Sequence, residues 1–199
     1  MQKDHFEIKA KTWDSGSERV ENTKSISEAI LDRFTLHKEM EILDFGVGTG
    51  LLGFEIAKEV KKVYGVDTSK SMLEKLEEKN TPELSIEAIC QDIIQTPLEK
   101  NFDGLISSMT LHHIEDLRAF FTVIRKNIKD NGFIAIADLE SEDGTFHSDN
   151  TGVFHFGFDK DELCTIIKEC GFKNIVWERI NSIQKPHRDF GIFLLSAKI

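Results

Sequence analysis

The chain has 199 residues, 40% hydrophobic and 30% charged, which fits one globular domain with a full apolar core. Its 25 basic against 35 acidic side chains give a net charge of -10, and without any basic run the chain is not expected to bind nucleic acid. Cys90, Cys164 and Cys170 lack CxxC spacing, no apolar run nears the ~20 residues of a membrane span, and the first fourteen residues lack a signal-peptide core, so a cytoplasmic protein without disulfides is expected.

In chain order, Ser17 to Phe34 places Val20, Ile26, Ile30 and Phe34 at a helical period behind a serine that could cap the helix. Glu41 to Phe45 reads as a buried strand, Gly46 to Gly50 as a glycine loop and Leu51 to Val60 as a helix. A strand over Lys62 to Val66, a helix over Ser69 to Lys79 and a strand over Leu84 to Cys90 follow, with Thr81-Pro82 as punctuation. Phe102 to Ser108 is the next strand. Ile114, Leu117, Phe121, Ile124 and Ile128 then mark a helix closed by Asn131-Gly132, before a strand over Phe133 to Leu139.

From Glu140 to Phe158 the chain is polar and without period. A helix starts at Asp159, where Asp159-x-x-Glu162 resembles a capping box, and ends at Gly171. Phe172 to Ile180 and Phe190 to Ala197 are two strands with no helix between them. The alternation implies an α/β fold with a doubly wound, mostly parallel seven-stranded sheet and an antiparallel C-terminal strand pair.

Gly46, Gly48 and Gly50 stand at alternate positions where a strand must turn into a helix, more glycine than a plain tight turn needs. A P-loop is excluded, because no Gly-Lys-Ser/Thr follows. Gly48-Thr-Gly50-Leu-Leu-Gly53 does match a dinucleotide fingerprint, which leaves a nicotinamide oxidoreductase open. Asp44, at the strand end beside the loop, would repel a diphosphate and suits a ligand with an ammonium and a positive sulfur.

The segment from Glu41 to Gly50 resembles motif I of class I S-adenosylmethionine-dependent methyltransferases, and later segments keep that family's order. Val63 to Ser69 resembles the second-strand motif, Cys90 to Ile93 the third, Phe102 to Ile114 the fourth, and Lys129 to Ile136 the turn into the fifth strand. The resemblance implies a Rossmann-like methyltransferase fold with S-adenosyl-L-methionine as cofactor. It assigns Asp67 to the ribose hydroxyls and Asp92 to the adenine amino group, with Thr68, Met72, Ile93 and Ser108 also at the cofactor. Replacing Asp67 by Ala is expected to lose cofactor affinity with stability nearly kept.

Methyl transfer from a sulfonium needs alignment more than a strong base. Among His112, His113 and His155, all near the carboxyl edge of the sheet, His113 and His155 are taken as the catalytic candidates. Trp13, Phe154, Phe156 and Phe158 are candidate walls of the acceptor pocket. His147, Asp149 and His155 do not match zinc-ligand spacing, so no metal is expected.

The element of amino-methylating DNA enzymes is absent after the fourth strand, where Ser108-Met-Thr-Leu111 stands, so the acceptor is expected to be a small molecule, on the pattern of quinone-ring methylating enzymes. The whole chain, 1–199, is read as one cofactor-binding domain, with 1–36 as a helical lid and 140–158 as an acceptor-site insertion. A non-catalytic cofactor-binding module is the reading from another class. The sequence carries no signal of oligomeric state.

Overall fold

The computed structural model describes residues 7–199. Its seven strands are β1 (Glu41–Phe45), β2 (Lys62–Asp67), β3 (Ile86–Cys90), β4 (Phe102–Ser108), β5 (Ile128–Leu139), β6 (Lys173–Lys185) and β7 (Arg188–Lys198). They form one sheet in the order β3-β2-β1-β4-β5-β7-β6, with β7 antiparallel to both of its neighbours. The helices are α1 (Glu7–Ala10), α2 (Ser17–Arg33), α3 (Leu51–Ala57), α4 (Lys70–Glu77), α5 (Leu117–Asn127) and α6 (Lys160–Glu169). None of these helices is long and apolar enough to cross a membrane.

Strand alternation decides which helix covers which face. On β1, Leu43 and Phe45 point to the layer that holds Phe120, Phe121 and Ile124 of α5 with Leu163 and Ile167 of α6. Ile42, one residue before Leu43, points to the opposite layer, built from Ile26 and Ile30 of α2, Leu52 and Ile56 of α3, and Leu73 and Leu76 of α4. Parallel neighbours need crossovers, and helices on both faces supply them. Aromatic contacts fill the first layer, with the Phe45 and Phe120 rings 4.7 Å apart and Phe120 edge-on to Phe121 at 5.1 Å.

The expected elements are present, with shifted ends. Gly16, not a serine, caps α2, and no side chain bonds there. Asn131-Gly132 does not close α5. The helix stops at Asn127, whose Nδ2 donates to the carbonyls of Leu98 and Lys100, and the chain enters β5 at once. Asn131, at φ 65, then sits inside β5, where the register against β4 shifts. A turn-forming dipeptide has been absorbed as a strand irregularity. At α6, Asp159 accepts from the N–H groups of Asp161 and Glu162, and Gly171 ends the turn at φ 91. Strands β6 and β7 run on past their expected ends into a tight hairpin.

Candidate active site

The strand order reverses between β1 and β4, because the chain winds outward through β2 and β3 and then returns to the other side of β1. Such a switch point opens a crevice at the carboxyl ends of the strands. The glycine loop lies at this point. Gly46, Gly48 and Gly50 all adopt positive φ, at 69, 53 and 85, which other residues enter only with strain. The N–H groups of Gly46 and Val47 donate to the Val66 carbonyl at 2.8 and 3.1 Å, so the loop folds back onto β2.

The glycines differ in what surrounds them. A Cβ on Gly46 would lie 2.2 Å from Thr110 Cγ2, so β4's exit packs on bare backbone there. A Cβ on Gly48 would meet no heavy atom within 4 Å. Gly48 therefore presents half-buried main chain beside open space, which a ligand can use.

Two carboxylates flank the loop. Asp67 Oδ2 accepts the Gly48 N–H at 2.9 Å and Oδ1 the Ser69 N–H at 2.8 Å, tying the loop to the start of α4. Ser69, not Asp67, caps α4 through its Oγ and the Met72 N–H. Asp44 is buried on the α3 side of the sheet, and its Oδ2 has no hydrogen-bond partner. Burial pushes the Asp44 carboxyl well above the usual carboxylate range; the Asp67 charge adds to this and the Gly53 N–H opposes it. A cation beside this pair would relieve the repulsion, and a diphosphate would worsen it.

The other cofactor candidates fall around the same edge. Thr68 is exposed after β2, and Asp92, past the end of β3, closes its own turn by accepting from the Ile94 and Gln95 N–H groups. Met72 and Ile93 are buried and act as core in this state. Ser108 is half-buried at the end of β4, while neighbouring Ser107 is spent on the Phe45 carbonyl at 2.8 Å. Met109 follows at φ 55, an uncommon conformation for a side-chain-bearing residue and one found where a site constrains the backbone.

The leading segment reaches the loop through Asp14. Its Oδ1 accepts from Thr49 Oγ1 at 2.6 Å and its Oδ2 pairs with Lys79 of α4 at 2.7 Å. Trp13 lies under the Arg19 guanidinium, 4.3 Å from its ring centre.

Across the crevice, the two histidines singled out as catalytic each bond a backbone carbonyl. His113 donates from Nδ1 to the Gly152 carbonyl at 2.7 Å. His155 donates from Nε2 to the Ile114 carbonyl at 2.8 Å, and its ring lies against Phe158 in a small hollow lined by Leu117 and Leu163. The bond ties the irregular segment to the turn before α5. His147, Asp149 and His155 part, since Asp149 caps Thr151 and the His147 ring lies 5.0 Å from that of His112. Among the described residues no group of three or more acidic, His or Cys side chains could hold a metal.

The pair that sequence reasoning passed over is His112 with Asp138. Both are buried, His112 Nδ1 bonds Asp138 Oδ1 at 2.7 Å, and the N–H groups of Leu139 and His112 also donate to Asp138. Burial alone would push the His112 imidazole down, but the Asp138 charge and hydrogen bond overcome it and hold it above its ordinary value. Burial would likewise raise Asp138, and His112 with two backbone donors holds it below the usual range. The signal available in sequence was an acid near the end of a strand that is otherwise apolar.

The geometry is that of a doubly wound α/β protein with a ligand loop at its switch point, and known proteins agree. A family model described as a methyltransferase domain matches residues 43–136. An uncharacterized methyltransferase of Schizosaccharomyces pombe is 29% identical over 165 residues, covering 72% of this chain and 57% of the relative. The malonyl-acyl-carrier-protein O-methyltransferase of Priestia megaterium is 28% identical over 149 residues, covering 72% and 52%. The chain spans about half the length of these curated relatives. Among solved structures, an S-adenosylmethionine-dependent methyltransferase of Aquifex aeolicus superposes with a TM-score of 0.70 at 21% identity, over 97% of this chain and 98% of that one. The fold is therefore the Rossmann-like methyltransferase fold. Residues 43–136 match the methyltransferase-domain family, and together with the fold and the relatives this supports a class I S-adenosylmethionine-dependent methyltransferase.

Proposed function

We propose that this protein transfers the methyl group of S-adenosyl-L-methionine to a small-molecule acceptor by in-line displacement. The observation that carries the reading is the glycine loop: three alternate positive-φ glycines at the switch point, one facing open space, between two carboxylates that repel each other. When bound, the cofactor supplies an electrophilic methyl on a positively charged sulfur. The chain's own residues do the rest by binding and aligning. Gly46, Gly48 and Gly50 present backbone to the amino-acid part, and the Asp44–Asp67 field favours its ammonium and sulfonium charges.

Asp67 takes the ribose diol at the end of β2 without giving up its backbone bonds, because each carboxylate oxygen can accept twice. Asp92 receives the adenine amino group, with Thr68, Met72, Ile93 and Ser108 around it. Alignment of this kind is worth on the order of 7 to 11 kcal/mol in favourable intramolecular reactions. In this reading 1–36 is a lid, with Asp14 holding Thr49 and Lys79 as its latch, and 140–158 is the insertion over the acceptor. The net charge of -10 speaks against a nucleic-acid acceptor, and the reduced cysteines fit a cytoplasmic setting.

The test is ligand-dependent melting. At ~100 times its dissociation constant, S-adenosylmethionine or S-adenosylhomocysteine should stabilise the fold by about 2.7 kcal/mol. That is a rise in Tm of roughly 5 to 10 °C for a chain of this size. No rise with either compound, together with a rise on adding NAD, would replace this reading with a nicotinamide oxidoreductase. Binding without turnover across an acceptor library would leave a cofactor-binding module.

A further inference from the structure

We infer that the Asp138–His112 pair, beside the turn that carries Glu142 and His147, is the proton-accepting end of the acceptor site, and that the acceptor's nucleophile is an amine arriving as an ammonium. The inference rests on the methyl-transfer reading and narrows its substrate class.

Three observations carry it. His112 is 1% exposed and spends Nδ1 on Asp138, which leaves Nε2 buried with no partner. Glu142 accepts the Thr145 and Phe146 N–H groups on Oε2, while its Oε1 is also buried with no partner. With Nδ1 carrying the proton, both orphaned atoms are acceptors, so the group that completes them is a donor. Asp138 and Glu142 bring two carboxylates to this enclosure beside the rings of His112, His113 and His147, so it is short of positive charge while the imidazoles are neutral, and Glu142 is close enough that its charge acts on His112. A cationic donor answers that shortage where a neutral hydroxyl does not.

The place is also right. His112 follows Thr110, which packs on Gly46 of the loop, and the His112 carbonyl accepts the N–H groups of Phe154 and His155. The pair therefore joins the cofactor loop to the 140–158 segment.

The step balances as follows. Neutral His112 takes one proton from the ammonium at Nε2, and the freed amine lone pair forms the new N–C bond. The S–C bond breaks with its electrons kept by sulfur, leaving S-adenosylhomocysteine and a methylated ammonium. The proton on His112 then leaves to solvent.

Histidine-selective 15N resonance titration of the full chain tests this, with 2-phenylethylammonium chloride as probe and 2-phenylethanol as its neutral isostere. Both carry a ring that can lie on Phe154 and Phe156, exposed at 53% and 46% on the same segment. The ammonium is expected to shift the His112 Nε2 resonance saturably, at least tenfold more tightly than the alcohol. It should also lower the apparent pKa of His112, which Asp138, Glu142, His113 and His147 all face.

Glu142→Gln, which keeps the side chain's shape and an oxygen for the Thr145 and Phe146 N–H groups, should weaken the ammonium effect at least fivefold while the melting shift with S-adenosylhomocysteine stays unchanged. An unmoved Nε2 resonance, an equal response to the alcohol, or wild-type ammonium binding in Glu142→Gln overturns the inference. Failure of the cofactor reading shows separately, as no melting shift with S-adenosylhomocysteine, and the amine titration is read with and without that compound.

Discussion

The β1–β2 side of the crevice is built on backbone, with glycines at positive φ braced by the Asp67 carboxylate on Gly48 and Ser69. On the β4–β5 side it is side chain, with His112 and Asp138 paired across 26 residues and covered by an irregular segment. The first arrangement suits a constant ligand, because main-chain amides and a sharp turn fix one geometry. The second can vary from protein to protein while the sheet stays the same, since only the tips of two strands and a loop are involved. One crevice thus combines a rigid backbone surface with a side-chain one, and the two sides should respond to substitution differently.

The largest effect should come from the β4–β5 side. Asp138→Ala leaves a buried imidazole without its counter-charge, and breaking such a pair costs about 3 to 5 kcal/mol. Tm should fall by roughly 6 to 20 °C. The pH dependence gives the sign. With the folded value of His112 raised, its contribution is full below about pH 6.5 and is lost as pH rises through that raised value. With Asp138 lowered, its contribution is present above about pH 3.9 and is lost as pH falls through the lowered value. Wild type should therefore show a stability plateau eroded on both sides, and Asp138→Ala should flatten both limbs in denaturant titrations. A variant as stable as wild type near neutral pH would mean that the pair is not formed.

The β1–β2 side should lose less stability and more binding. Asp67→Ala removes two hydrogen bonds from backbone N–H groups to a charged acceptor, each worth about 1.5 kcal/mol at a half-exposed site, so the loss stays below that of Asp138→Ala. The two backbone bonds thus predict a larger loss of stability than the sequence reading, which expected it nearly kept. Gly48→Ala separates the two roles. It meets no neighbour and should cost only the left-handed strain of about 1 to 2 kcal/mol, yet it fills the open space above the loop. Calorimetry with S-adenosylhomocysteine should show affinity lost in both variants. Retained affinity in Gly48→Ala would place the ligand elsewhere.

The contrast also explains what could be read from the chain alone. The alternation of strands and helices, the loop and the order of motifs are local, so the periods at Leu43 and Phe45 or at Phe121 and Ile124 revealed them. Asn131-Gly132 misled because a turn signal was overridden by pairing with β4, a tertiary effect that no window contains. His155 and His112 could not be ranked, because both follow β4 or border the irregular segment. Only the folded chain shows that one braces Ile114 while the other meets Asp138.

The remaining contrast is between two acids, and it predicts a gain instead of a loss. Asp44 has its folded value raised, so between about pH 3.9 and that value the folded state holds more protons than the unfolded chain, and stability falls as pH rises through the window. Asp44→Asn removes the ionisation. The variant should be more stable than wild type near neutral pH, with a flatter stability curve across the acid range in denaturant titrations. Its affinity for S-adenosylhomocysteine should drop less than its affinity for S-adenosylmethionine, because only the latter carries the positive sulfur that the Asp44–Asp67 field favours. A destabilised Asp44→Asn at neutral pH would mean that the carboxylate is ionised and paired in the folded protein, and an equal drop for both compounds would remove the sulfonium from the argument.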